Sequence, residues 1–276
     1  MEESFVSLEV DAAATAWLWL DRPDVHNAFD DQLITALNQH LSDLREKAVG
    51  GAVRAVVLGS RGKHFSAGAD LGWMQRMVDY DLEANLADSR ELARLMAQLN
   101  SLPCPVIARV QGAAFGGAVG LVACCDIAVA SEKARFCLSE VRIGLSPAVI
   151  SPYVQAAIGP RQMRRYALTA ETLDSVRARE VGLVHEVVAH EALDEAIAEL
   201  IQAIGRGSPQ AQRETKALLG RIEQTLDPEA READTCQVIS AIRVSDEGQE
   251  GLASFFEKRS PAWIAPGPGD ATEQRS

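Results

Sequence analysis

Short apolar runs of strand length recur through the first half of this chain, and the loops after them are built from small residues. Val53 to Leu58 reads as a buried strand and leads into Gly59-Ser60-Arg61-Gly62-Lys63-His64-Phe65-Ser66-Ala67-Gly68-Ala69-Asp70. Val106 to Val110 reads as another, and its Gly-rich turn, Gln111 to Leu121, runs into a helix of small residues. Cys124-Cys125-Asp126-Ile127-Ala128-Val129-Ala130 supplies a third strand. A strand that reads as one continuous apolar run must be covered on both faces, so repeated strand–turn–helix units predict a parallel, layered α/β core.

The rest of the chain fits around that core. Residues 4–10 and 14–20 alternate like a hairpin about Asp11-Ala12. Asp30 is placed to cap a helix that runs to about Val49, with Leu33, Ile34, Leu37, Leu41 and Leu44 on one face. A second amphipathic helix spans about Leu82 to Leu99 and ends at Leu102-Pro103-Cys104-Pro105. Beyond residue 149 helical spacing dominates, over 149–158, 160–168, 174–181, 191–205, 208–225, 229–243 and 245–258, with Gly182 to Val188 extended. The expected organisation is a core over 1–200, a helical region over 201–263 and a polar, Pro/Gly-rich disordered tail over 264–276.

The net charge of −12 opposes attraction to nucleic acid or anionic lipid. No apolar run reaches membrane-spanning length, and the N-terminus lacks a secretory or transit layout. The expected home is the cytoplasm, in a bacterium or after removal of a presequence. The five cysteines form no CxxC pair and read as reduced, mostly buried thiols.

Several familiar motifs fail on inspection. His185 and His190 stand five apart and cannot share a helix face, so metal binding is not expected. The Gly59 to His64 loop is no P-loop, the Gly116 to Gly120 turn lacks a dinucleotide fingerprint, and no G-x-S-x-G elbow occurs.

Three segments remain: His64 to Leu71, Gln111 to Gly117, and Phe136 to Leu145 with its single carboxylate Glu140. Small residues let a ligand approach backbone N–H groups, and a helix N-terminus adds positive partial charge. Two such N–H groups aimed at one oxygen make an oxyanion hole, and a nearby carboxylate can move a proton at the carbon α or β to that carbonyl. Taken singly, Gly-rich turns also serve as packing devices and a Glu after Ser139 as a cap.

Ala67-Gly68-Ala69-Asp70-Leu71, Gln111-Gly112-x-Ala114-x-Gly116-Gly117, the strand at 124–130 and F-x-L-x-E-x-x-x-GL at 136–145 together resemble the enoyl-CoA hydratase/isomerase (crotonase) superfamily. So do the stretches at 21–29, 53–58, 178–188 and 255–261, and the likeness covers roughly residues 5–263. The resemblance implies an α/β spiral of repeated ββα units with a C-terminal helical trimerisation region, assembled as a homotrimer or dimer of trimers. It places the oxyanion hole on the N–H groups of Ala69 and Gly117. It places CoA near Val25, His26, Ala67, Asp70 and Leu71, with Phe255 and Lys258 reaching CoA across a subunit boundary. Lys258 serves equally as a solvated lysine at a helix end.

The family's hydratases flank a water with two glutamates. Glu140 falls on the second, and Gly120 stands where the first would be. Ala148 would supply the water-binding amide in a loop, Ser146 to Ser151, that departs from the family's Gly-rich run. Trp73 and Met77, in a helix around Gly72 to Tyr80, are expected in the acyl-pocket wall. The nearest branch takes branched, carboxylated enoyl-CoA esters of leucine and terpene breakdown, such as methylglutaconyl-CoA, for which Arg109 and Arg142 are candidate partners. The implied reaction is hydration of an enoyl-CoA thioester. CoA belongs to the substrate, and no separate cofactor, metal, nucleic acid or membrane is expected. A Δ3,Δ2-enoyl-CoA isomerase using Glu140 alone, or a non-catalytic acyl-CoA- or RNA-binding relative, are the alternatives.

Overall fold

The computed structural model describes residues 5–264. It divides into two compact units, Met1–Leu200 and Ile201–Ser276. The tail expected to be disordered lies, from residue 265 onward, outside the described residues.

The first unit opens with an antiparallel hairpin, β1 (Val6–Val10) and β2 (Thr15–Leu20). Asp11 Oδ1 fixes its turn by accepting from the N–H groups of Ala13 at 2.9 Å and Thr15 at 3.0 Å. Asp30 then starts α1 (Asp31–Val49), accepting from Leu33 N–H at 2.8 Å. Leu33, Ile34, Leu37, Leu41 and Leu44 form the buried face of this helix. β3 (Ala55–Ser60) is buried along its whole length, two residues later than the apolar run suggests. It leads to a short α2 (Leu71–Met77) and a long α3 (Leu82–Asn100), capped by Asp70 and Asp81.

From there the chain alternates between two sheets. β4 (Val106–Val110), β5 (Ala113–Phe115) and α4 (Gly117–Cys124) form one ββα unit. β6 (Ile127–Ser131), β7 (Arg135–Cys137) and α5 (Ser151–Thr169) form the next. The larger sheet has six strands in the order β1-β2-β3-β4-β6-β9, parallel from β2 onward. The smaller has the order β5-β7-β8. A lone parallel bridge between Ser66 and Ala114 gives the β3 unit a rudimentary strand beside β5. Each repeat thus places one loop beside the next.

α5 joins the two helical stretches expected on either side of residue 159, with Gly159 at φ 76° marking the kink before Pro160. β8 (Leu173–Asp174), α6 (Ser175–Glu180), β9 (Glu186–Val188) and α7 (Leu193–Gly205) follow. The second unit contains α8 (Pro209–Gln224), α9 (Pro228–Arg243) and α10 (Asp246–Glu257), begun by Ser208, Asp227 and Ser245. No helix among the described residues is long and apolar enough to cross a membrane.

Candidate active site

The loop after β3 is pinned from two sides. Asn27 Nδ2 donates to the carbonyls of Arg61 at 2.8 Å and His64 at 3.0 Å. Gln111 Nε2 donates to Ser60 and Gly62 carbonyls. Past the pinned stretch, Phe29 N–H donates to Gly68 O and Asp70 N–H to Phe29 O, both at 2.7 Å. In a parallel bridge one residue bonds to the neighbours of the residue opposite, so the N–H of Ala69 points away from this pairing. It has no acceptor among the described residues.

The second donor comes from the turn after β5. Gly116 N–H donates to Cys137 O at 2.9 Å, and Gly116 adopts φ 54° before α4 begins. Gly117 is the first residue of α4, so its N–H has no acceptor within the helix. Ala69 and Gly117 line one cavity of about 490 Å³, together with Glu140.

Glu140 opens a 3₁₀ turn, Glu140–Ile143, after β7. Its Oε2 is buried with no hydrogen-bond partner. A Cβ on Gly116 would stand 3.3 Å from Glu140 Oε1, and one on Gly68 would stand 3.2 Å from Phe115 O. These contacts bring the three segments together and explain why small residues stand there. Burial pushes the Glu140 carboxyl above its ordinary range, partly offset by a backbone hydrogen bond. An acid held this way exchanges protons nearer neutral pH.

Gly120 does not face this cavity. A Cβ there would lie 2.3 Å from Ile150 Cγ2, 2.7 Å from Ile150 Cβ and 3.3 Å from Met96 Sδ. Ile150, 2 % exposed, fills the space into which a side chain at position 120 would extend. Gly120, named where the family's first glutamate would stand, packs against Ile150 and Met96 instead of lining the cavity. Ala148, Trp73 and Met77 do line the cavity.

The two arginines expected at the acyl group point elsewhere. Arg109 Nε donates to Asp194 at 2.6 Å and its guanidinium lies over Trp19. Arg142 Nη2 donates to Ala170 O at 2.5 Å, clamping the end of α5. Neither lines this cavity, each being held by another partner, and Arg109 lines a different, wider cavity. The wall contains Asp88 and Glu140 but no Lys or Arg among the described residues. Asp88 was not singled out from sequence. Its only signal is the polar spacing Asn85, Asp88, Ser89 on a helix whose buried residues are apolar.

Of the residues expected near CoA, Val25, Asp70 and Leu71 line neither this cavity nor the wider one beside it, whereas His26 lines the wider one, adopts φ 55° and meets His64 edge-on at 5.0 Å. Ala67 N–H donates to His26 O at 3.0 Å. Asp70 is occupied as the cap of α2, accepting from Gly72 and Trp73 N–H groups. Val25 and Leu71 are exposed, Leu71 to 82 %. Ala67 also borders a second, wider cavity of about 1140 Å³, where Arg61, Lys63, Lys133 and Arg135 gather at the carboxyl ends of the parallel strands. In the second unit, Phe255 is exposed and Lys258 closes α10 at φ 56°.

Residues 11–266 match the family model for enoyl-CoA hydratase/isomerase. A solved enoyl-CoA hydratase from Shewanella pealeana is 46 % identical, with a TM-score of 0.90 over 95 % of this chain and 97 % of that one. The 2,3-dehydroadipyl-CoA hydratase of Escherichia coli is 31 % identical over 88 % of this chain and 92 % of its own length. A trans-2-decenoyl-[acyl-carrier-protein] isomerase of Streptococcus mutans is 29 % identical over 89 % of this chain and 93 % of its own. With two unpaired N–H groups and the Glu140 carboxylate sharing a cavity on this fold, the chain belongs to the enoyl-CoA hydratase/isomerase family.

Proposed function

We propose that this enzyme hydrates a 2-enoyl-CoA thioester with Glu140 as its one acid–base group. The thioester oxygen accepts from Ala69 N–H and Gly117 N–H. Glu140 takes a proton from water as the hydroxyl bonds to Cβ, and electron density moves onto the held oxygen as an enolate. Glu140 then returns the proton to Cα, so one water is consumed and the carboxylate is restored. Ala148 is the candidate amide for holding that water. The observation that carries this reading is the unpartnered, buried Glu140 Oε2 in the cavity that both N–H groups line.

The CoA arm is read as passing Val25, His26, Ala67, Asp70 and Leu71, towards the Lys and Arg side chains of the wider cavity. Cations there suit phosphate charge. The wall's lack of a Lys or Arg favours an uncharged acyl chain over the methylglutaconyl class. Trimers or dimers of trimers form part of the same proposal, with Phe255 and Lys258 offered to the CoA of a neighbouring copy.

A second reading has a specific observation behind it. Ile150 fills the space over Gly120 and leaves no room there for a further carboxylate, and Glu140 alone suffices to carry a proton between Cα and Cγ. The deciding experiment incubates the enzyme with matched 2-enoyl- and 3-enoyl-CoA esters and follows product mass together with the ultraviolet absorbance of the conjugated enone. Gain of one water on the 2-enoyl ester supports hydration. Conversion of the 3-enoyl ester at constant mass, with no water added to the 2-enoyl ester, replaces it with isomerisation.

A further inference from the structure

Asn85, Asp88, Ser89 and Leu92 of α3 all line the acyl cavity, on one stripe of the helix. Three of the four are polar, a polar stripe in a wall that is otherwise mostly apolar, with Phe29, Met74, Met77, Val149 and Ile150. α2 sets Trp73 into the same cavity. Trp73 is 6 % exposed, and its indole Nε1 is buried with no hydrogen-bond partner. A buried indole N–H with no direct partner in a cavity wall is placed to donate to an acceptor that enters the cavity. The indole N–H faces Asp88 and favours its carboxylate through a long hydrogen-bonding contact, beyond the distance at which a direct bond joins the two. Burial acts the other way and raises the Asp88 carboxyl, with Asp31 adding to the rise and Arg76 opposing it. Arg76 is itself paired with Asp31. The proposed hydration uses neither Trp73 nor Asp88.

We propose that the acyl cavity recognises a hydroxyl group already present on the acyl chain, held between Trp73 Nε1–H and the Asp88 carboxyl group. A hydroxyl is neutral, accepts from an indole and donates to a carboxylate. A hydrocarbon chain would leave both protein groups unsatisfied. A carboxylate would suit the indole but meet the charge of Asp88 with no cation in the wall, and an ammonium could not accept from the indole. This inference rests on the reading that the cavity takes the acyl group of a CoA thioester.

The test uses saturated esters, so that binding is read without turnover. Octanoyl-CoA and its monohydroxy isomers, substituted from Cγ outward, are titrated calorimetrically into the full chain. At least one isomer is expected to bind about tenfold more tightly than octanoyl-CoA. In Asp88→Leu and Trp73→Phe the two esters should bind alike. Asp88→Asn, which keeps a hydrogen-bonding group, should retain part of the preference. No preferred isomer, or a preference that survives Asp88→Leu in a folded variant, overturns the inference. So does loss of turnover on every enoyl-CoA ester in Asp88→Leu, which would assign Asp88 to the reacting atoms. Failure of every ester to bind the wild type would remove the CoA reading, whereas binding of all esters with equal affinity leaves that reading intact and removes only the hydroxyl.

Discussion

Glu140 is costly to ionise where it stands, and that cost has a sign. Its folded-state pKa is raised, so the protonated form is favoured by folding. The stabilisation is present below the ordinary glutamate range and is lost as pH rises through the folded value. Glu140→Gln removes the ionisation, so the variant should be more stable than wild type at neutral pH, with the difference vanishing in acid. Urea unfolding at a series of pH values measures this. The same substitution should lower kcat by about two to four orders of magnitude while acyl-CoA affinity changes little. Near wild-type turnover would remove Glu140 from the chemistry. Gly116 offers a second check. Its φ of 54° and the carboxylate 3.3 Å from any added Cβ make Gly116→Ala strained and crowded. Loss of activity with a stability loss of about 1–3 kcal/mol is expected, read from steady-state rates and urea unfolding.

Gly120 tests how one helix sits against the next segment. Ile150 belongs to the turn that starts α5, and its branched Cβ cannot swing clear of a methyl on α4. Gly120→Ala should therefore cost about 1–3 kcal/mol by overpacking. Ile150→Ala alone should also destabilise, through a cavity. The double variant should be more stable than the sum of the two losses predicts, and strict additivity in thermal unfolding would contradict this packing. The elements legible in the sequence were those with a long enough period or a capping side chain. α1 announced itself through Asp30 and five apolar positions on one face, and α3 through its spacing and the prolines after it. β5, β7 and β8 escaped because three residues or fewer carry no period, and pairing with one another defines them. In the site, backbone donors were legible as small residues next to strands. Trp73 was legible as a wall residue, but Asp88 and the facing of the indole N–H towards it were not, since only tertiary packing turns those side chains towards one cavity.

On the scale of the whole chain, the second unit is short of interior. α8 and α9 contain no buried residue, and α10 buries only Ser254. Leu219, Ile239, Leu252, Phe255 and Phe256 stay exposed. Helices of this kind gain stability by covering apolar faces, so association with further copies is expected. Light scattering should give a trimer or hexamer, and the melting temperature should rise with protein concentration. A monomer with a concentration-independent transition would refute the proposed assembly. The Ile150 side chain over Gly120 also limits the substitutions open to this lineage. A glutamate arriving first at 120 collides with a filled interior, and a smaller residue arriving first at 150 leaves a void. The two positions are thus set as a pair, and volume can be gained at 120 only where it is given up at 150.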